Sequence, residues 1–206
     1  MKILNLYAGI GGNRMLWGDK HEITAVEIDP AIAAIYKHLF PNDTVVIGDA
    51  HEYLRQHFRE FDFIWSSPPC PTHSVLQTTR FYDPKLKYPD MTLYQEIIWL
   101  QTFFRGGYCI ENVQPYYKPL IPPTFTMERH CYWASEFIMT PDHSDKVYTT
   151  IRNKTGDMEK EYGLDLSQFY GTTNIRTCLR NMVKPQDGKY IFEQLTMDLR
   201  KFDGSC

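Results

Sequence analysis

Short apolar runs alternate with amphipathic segments over the first half of the chain. Ile3 to Ala8 is an apolar run that ends in Gly9-Ile10-Gly11-Gly12, and residues 13–20 suit one or two helical turns, so the opening predicts strand, glycine turn and helix. Residues 22–28 predict a second strand. Over residues 29–40 an Asp able to cap and a Pro suited to the first helical position precede Ile32, Ile35, Tyr36 and Leu39, which share one face of a helix. Further strands are expected at 44–50, 61–67 and 107–113, with helices at 51–59 and 92–104 between them. Past residue 114 the pattern loosens into the proline-rich loop 115–123, strand-like stretches at 130–139 and 146–153, and a polar stretch with few apolar anchors over 153–172. The chain closes on a helix expected at 187–202.

Strands that alternate with helical segments pair in parallel through crossover helices, which makes this an α/β chain with a doubly wound, mostly parallel sheet. Ligands of such sheets bind outside the carboxyl ends of the strands. The unusual residues fall at those ends: Gly9 to Gly12 after the first strand, Glu27 after the second, Asp49 after the third, Cys70 after the fourth and Glu111 at the fifth.

Composition narrows the picture without supplying chemistry. The 206 residues suffice for one main domain with a small appendage. No stretch approaches the roughly 20 apolar residues of a membrane span, and the N-terminus runs straight into a strand, so a cytoplasmic protein with no membrane partner is expected. Five scattered cysteines without a C-x-x-C spacing argue against a disulfide framework and against a metal site. The net charge of −3 is distributed unevenly: residues 1–145 carry 12 Lys/Arg against 17 Asp/Glu, whereas residues 146–206 carry 10 against 8. Affinity for a nucleic-acid backbone comes largely from Lys and Arg, so the late part of the chain is the expected phosphate-contacting part.

The strand ends then acquire individual roles. A glycine turn after a strand lets backbone N–H groups approach a nucleotide closely. The dinucleotide fingerprint would need glycine at position 14, where Arg14 stands, which disfavours a nicotinamide cofactor. Glu27 can accept both ribose hydroxyls and Asp49 an adenine amino group, although a helix cap or a solvated turn explains either acid equally well. An adenosine pocket without a pyrophosphate clamp points to S-adenosylmethionine. In Ser67-Pro68-Pro69-Cys70-Pro71 the prolines fix an extended loop that projects the Cys70 thiol toward that pocket. A thiolate at carbon 6 of cytosine makes carbon 5 nucleophilic, and Glu111 is placed to protonate or hydrogen-bond ring N3.

The order Y-A-G-I-G-G, V-E-I-D-P, G-D-A, S-P-P-C, E-N-V resembles the cytosine-5 DNA methyltransferase family over residues 3–113, in a compact form similar to phage-encoded members. The resemblance implies the S-adenosylmethionine-dependent methyltransferase type of sheet with a pocket lined by Tyr7, Ala8, Gly9, Ile10, Gly11, Gly12, Glu27, Ile28, Asp49, Ala50 and Pro68. It makes Cys70 the nucleophile, Glu111 the N3 acid and Arg152 a contact to the cytosine and its phosphate. Asn181, in a segment similar to the family's closing G-N-x-V-P, would touch the methionine moiety. The implied division is a catalytic core over 1–145, a much reduced DNA-recognition segment over 146–180 and a returning helix over 181–206. The flipped cytosine would be covered by the loop after Cys70, with His73, Ser74 and Arg80 contacting DNA. Lys154, Arg176 and Arg180, with Lys146, Arg152 and Lys184, would contact double-stranded DNA. About 27 residues between Arg152 and Arg180 present few side chains to base edges, which implies a short recognition sequence or help from a partner, in a chain expected to be a monomer.

Two other readings use the same motifs. A tRNA cytosine-5 methyltransferase would keep all of them, and a catalytically inactive DNA-binding protein would keep the fold. An amino-methylating enzyme would need an acidic residue or Asn before the prolines and an aromatic after them, which Ser-Pro-Pro-Cys does not offer.

Overall fold

The computed structural model describes residues 1–80, 87–140 and 154–197; the strand expected at 146–153, the end of the helix expected beyond residue 197, and Arg152 with it, lie outside the described residues. One sheet of seven strands organises the chain: β1 Lys2–Leu6, β2 Glu22–Glu27, β3 Thr44–Ile47, β4 Phe63–Ser66, β5 Gly107–Val113, β6 Phe125–Met127 and β7 His130–Ala134. Their order across the sheet is β3-β2-β1-β4-β5-β7-β6. The first five are parallel, as the alternating pattern predicts, and β7 inserts antiparallel between β5 and β6.

The parallel strands read as nearly continuous apolar runs because both faces are covered. On one face Leu4, Leu6, Val26, Ile64 and Ile110 pack on α2 (Ala50–His57) and α3 (Thr92–Phe103) through Leu54, Leu93, Ile97 and Leu100. On the other, Ile3, Ile23, Phe63 and Trp65 pack on α6 (Pro185–Thr196) through Ile191, Phe192 and Leu195. The helix α1 (Pro30–Leu39) is capped by Asp29, whose carboxylate accepts from the Ala31 and Ile32 amides, and Pro30 takes its first position as expected.

The helix expected after the glycine turn does not form; residues 12–17 are successive turns. Side-chain bonding overrides the local pattern there. Arg14 is buried and donates to both oxygens of Asp43, at 2.9 and 3.1 Å, and Asp43 also accepts from Tyr36 Oη. Trp17 stacks on Phe192 at 4.8 Å and donates its indole N–H to the Gly188 carbonyl, so the late helix α6 covers the flank that a helix after β1 would have covered.

The stretch 153–172 is better anchored than its polarity suggests. It forms α4 (Thr155–Tyr162) and leads into α5 (Ile175–Asn181), and Met158, Leu166, Ile175, Cys178 and Leu179 pack on Ile10 and Ile35. Glu159 is buried and accepts from the Leu166 amide and from Tyr170 Oη, which ties α4 to the segment that leads into α5. Among the described residues no helix is long and apolar enough to cross a membrane, and no group of three His, Cys, Asp or Glu side chains is placed to hold a metal ion.

Candidate active site

The parallel strands bring the carboxyl ends of β1 to β5 onto one edge of the sheet, and five of the expected segments meet there. After β1 the backbone turns through two left-handed residues, Tyr7 at φ 53° and Gly9 at φ 55°, and Gly11 follows at φ 83°. A side chain at Gly11 would collide with the rings of Tyr36 and Phe40. At Gly12 a Cβ would lie 1.8 Å from Met182 Cγ and 2.4 Å from the Val183 carbonyl oxygen. The segment before α6 therefore seats on the glycine turn through Met182 and Val183, whereas Asn181, expected to reach the cofactor, is exposed at the end of α5.

Glu27 is buried at the end of β2, and its two oxygens accept separately from the Gly9 amide at 2.9 Å and the Asp29 amide at 3.0 Å. Each oxygen keeps a further lone pair for a ligand. Asp49 caps α2 by accepting from the Glu52 amide and stays exposed. Ile28 is 66% exposed, an apolar surface beside two acids, while Ala8 and Ala50 are buried. A Cβ at Gly9 would meet nothing within 4 Å, so the turn opens on space beside these groups. Carboxylates, an exposed aliphatic side chain and an open glycine turn, with no cation among them, fit an adenosine-bearing cofactor that itself carries positive charge and no pyrophosphate. Ile10 turns inward to α4 and α5, so it supports this pocket from behind.

The second half of the edge carries the thiol. Asn112 is buried beside Glu111 and donates to the Pro68 carbonyl at 2.9 Å, so the E-N-V strand end holds the Ser-Pro-Pro-Cys loop directly. Cys70 is half-buried; burial and the nearby Glu111 carboxylate push its thiol pKa up, and Arg129 pulls in the opposite direction. Glu111 is buried, and His130 Nε2 lies 3.5 Å from its Oε1.

Arg129 and His130 were not singled out by sequence reasoning, which looked for the basic partner near residue 152. Their signal is long-range pairing: β7 runs antiparallel to β5 with Val113 opposite His130 and Glu111 opposite Tyr132, so the β6–β7 turn falls beside the acid. That turn is held in place. Glu128 has φ 51°, its carboxylate takes the Lys184 ammonium at 2.5 Å, and the Arg129 carbonyl accepts from the Gln114 amide. Lys184, expected on a phosphate-contacting face, is thereby committed to an ion pair.

The loop after Cys70 is partly ordered by its own contacts. The Cys70 carbonyl accepts from the His73 and Ser74 amides, and Val75–Arg80 forms a 3-10 helix. His73 was expected to face DNA; its ring is buried instead, with Nδ1 at 2.6 Å from Tyr117 Oη, and burial holds its pKa low. Ser74 forms a bridge with Pro115 and accepts from the Leu76 amide. Lys154 is exposed at the start of α4, and Arg176 and Arg180 are half-buried on α5, whose Cys178 lies within the field of Asp29 and Glu27.

A family model of C-5 cytosine-specific DNA methylases matches residues 1–114. Over 75 residues the chain is 35% identical to a tRNA (cytosine(38)-C(5))-methyltransferase of Spodoptera frugiperda, a match that covers 34% of this chain and 23% of that curated relative. Among solved structures, a mutant of Spodoptera frugiperda DNMT2 is 29% identical over 54% of this chain and 35% of that one, with a TM-score of 0.41. The Entamoeba histolytica methyltransferase EhMeth shares the fold alone, at 12% identity, 97% and 98% coverage and a TM-score of 0.58.

Proposed function

Because the chain belongs to the C-5 cytosine-specific DNA methylase family, we propose that it methylates carbon 5 of a flipped cytosine in double-stranded DNA, with Cys70 as nucleophile and Glu111 as the acid at N3. The observation that carries this reading is the Asn112 to Pro68 hydrogen bond, which couples the thiol loop to the strand end that bears Glu111.

S-adenosylmethionine, held by the glycine turn, Glu27, Ile28 and Asp49, would supply an electrophilic methyl group. The chain's own residues do the rest. The Cys70 thiol passes its proton to the Glu111 carboxylate and its sulfur bonds to carbon 6 while Glu111 delivers that proton to N3, so the ring electrons become available at carbon 5. After carbon 5 has gained its methyl group, it loses its proton to water, the pair left behind restores the ring double bond as the sulfur–carbon bond breaks, and the N3 proton returns through Glu111 to the Cys70 sulfur. Arg129 provides the positive charge of this arrangement, the task expected of Arg152. The raised thiol pKa favours the protonated form of Cys70 in the free protein. The target atoms lie inside a duplex, so the base must rotate out, and residues 71–80 follow the thiol on the side it would enter.

A tRNA substrate is the second reading, favoured by the 35% identity to a protein of that name. Incubation with labelled S-adenosylmethionine and either duplex DNA or tRNA, followed by nucleoside digestion, separates the two. Label in 5-methyldeoxycytidine is the expected result. Label only in 5-methylcytidine would move the substrate to RNA, and label in neither would favour an inactive binding protein on this fold.

A further inference from the structure

The most deeply buried acid among the described residues, Glu96, takes no part in the chemistry above. Glu96 lies on α3 with no exposed surface, in the row of positions that packs Leu93, Ile97 and Leu100 against the sheet. Both oxygens of its carboxylate are engaged: Oε1 accepts from Tyr7 Oη at 2.7 Å and faces His51 Nδ1 at 3.1 Å, and Oε2 accepts from Ser66 Oγ at 2.6 Å.

The three donors come from three different strand ends. Tyr7 opens the glycine turn after β1, His51 follows Asp49 and Ala50 at the start of α2, and Ser66 ends β4 immediately before the Ser-Pro-Pro-Cys loop. A leucine at position 96 would pack in the same row without the cost of burying a charge, so stability of the helix does not call for an acid here. Tyr7 adds a second reason. A bulky residue at φ 53° is held against its backbone preference, and the hydroxyl bond to Glu96 fixes its ring in that conformation.

We propose that Glu96 is a positioning residue: by accepting from Tyr7, His51 and Ser66 it sets the shape of the cofactor side of the edge and its register with the nucleophile loop. The inference rests on the proposed reading that S-adenosylmethionine occupies the glycine-turn pocket. Glu96 does not touch the reacting atoms; it acts through Tyr7 on the turn and through Ser66 on the start of the thiol loop.

The test is direct binding of S-adenosylhomocysteine by calorimetry to the full chain and to Glu96→Gln and Tyr7→Phe, with a thermal melt of each and with KM measured for both substrates. The glutamine keeps the shape of the acid and loses its charge. The phenylalanine keeps the ring and removes one bond. The expected result is a loss of about tenfold in affinity for each variant, a double variant no weaker than the weaker single one, and a KM for the nucleic acid that stays within twofold of the parent. Affinity unchanged in both single variants would overturn the positioning role, as would an equal rise in both KM values. If Glu96→Gln does not fold, Tyr7→Phe decides alone: weaker binding supports the proposal and unchanged binding refutes it. Absence of binding by the parent chain is a different failure, that of the pocket assignment itself.

Discussion

Glu27 at the end of β2 and Glu111 near the end of β5 are both buried strand-end acids, and their surroundings differ. Glu27 already receives two backbone N–H donors, one from Gly9 and one from Asp29. Glu111 has instead a histidine at 3.5 Å and a thiol whose ionisation it opposes. The cofactor side of the edge is thus built by main-chain geometry and closed with hydrogen bonds. On the proposed catalytic side a carboxylate opposes the ionisation of a nearby thiol. In the proposed reading, preorganisation serves the cofactor and an unfavourable electrostatic setting serves the thiol.

Substitution of Glu111 by Gln tests this contrast most severely. Methyl transfer should fall by about 10²–10⁴-fold, the usual contribution of a positioned acid. Alkylation of Cys70 by iodoacetamide in the free protein should move the other way and become faster at a given pH, because the nearby negative charge is gone. Loss of both together would show that Glu111 supports the fold of the loop and not its electrostatics.

On the cofactor side, Gly12→Ala should disturb packing and leave the thiol's titration alone. The added methyl meets Met182, which can move, and the Val183 carbonyl, which is backbone, so a destabilisation of about 1–3 kcal/mol is expected in chemical unfolding. Wild-type stability in this variant would mean that the segment before α6 does not seat on the glycine turn.

Asn112→Ala probes the link between the halves. It leaves the buried Pro68 carbonyl without its donor, for about 1–3 kcal/mol by the usual cost of an unsatisfied buried group. Faster proteolysis within residues 67–80 should accompany the lower melting temperature; a lower melting temperature without local cleavage would break the proposed clamp.

Arg129→Gln should have the smallest effect. With the thiol pKa already raised, thiolate appears only as pH climbs past the ordinary cysteine range, and removal of Arg129 should push the alkylation profile further upward. A downward shift would contradict the sign assigned to that side chain.

The pattern of the chain reveals the strand ends far better than it reveals their partners. Gly9 to Gly12, Glu27, Asp49, Pro68-Pro69-Cys70 and Glu111 stand out because each interrupts an apolar run with a residue suited to a turn or to chemistry. Glu96 does not stand out, since one acid in an amphipathic helix ordinarily reads as part of its wet face; only the packing of α3 shows it buried. Arg129 and His130 depend on β7 entering between β5 and β6, a pairing of distant segments that no local periodicity encodes. The turns at 12–17 replace an expected helix because Asp43 and Phe192 offer Arg14 and Trp17 better partners than a helix would. His73 shows the opposite error, a polar residue in a loop whose ring is buried against Tyr117.

The most direct test of the account is a covalent trap. Duplex DNA bearing 5-fluorocytosine in all short contexts would be incubated with the protein and S-adenosylmethionine, and the adduct digested and sequenced by mass spectrometry. Fluorine does not leave as a proton does, so the account predicts a stable adduct whose nucleotide is attached to Cys70, absent in Cys70→Ala. An adduct on any other residue, or one that persists in Cys70→Ala, would contradict it.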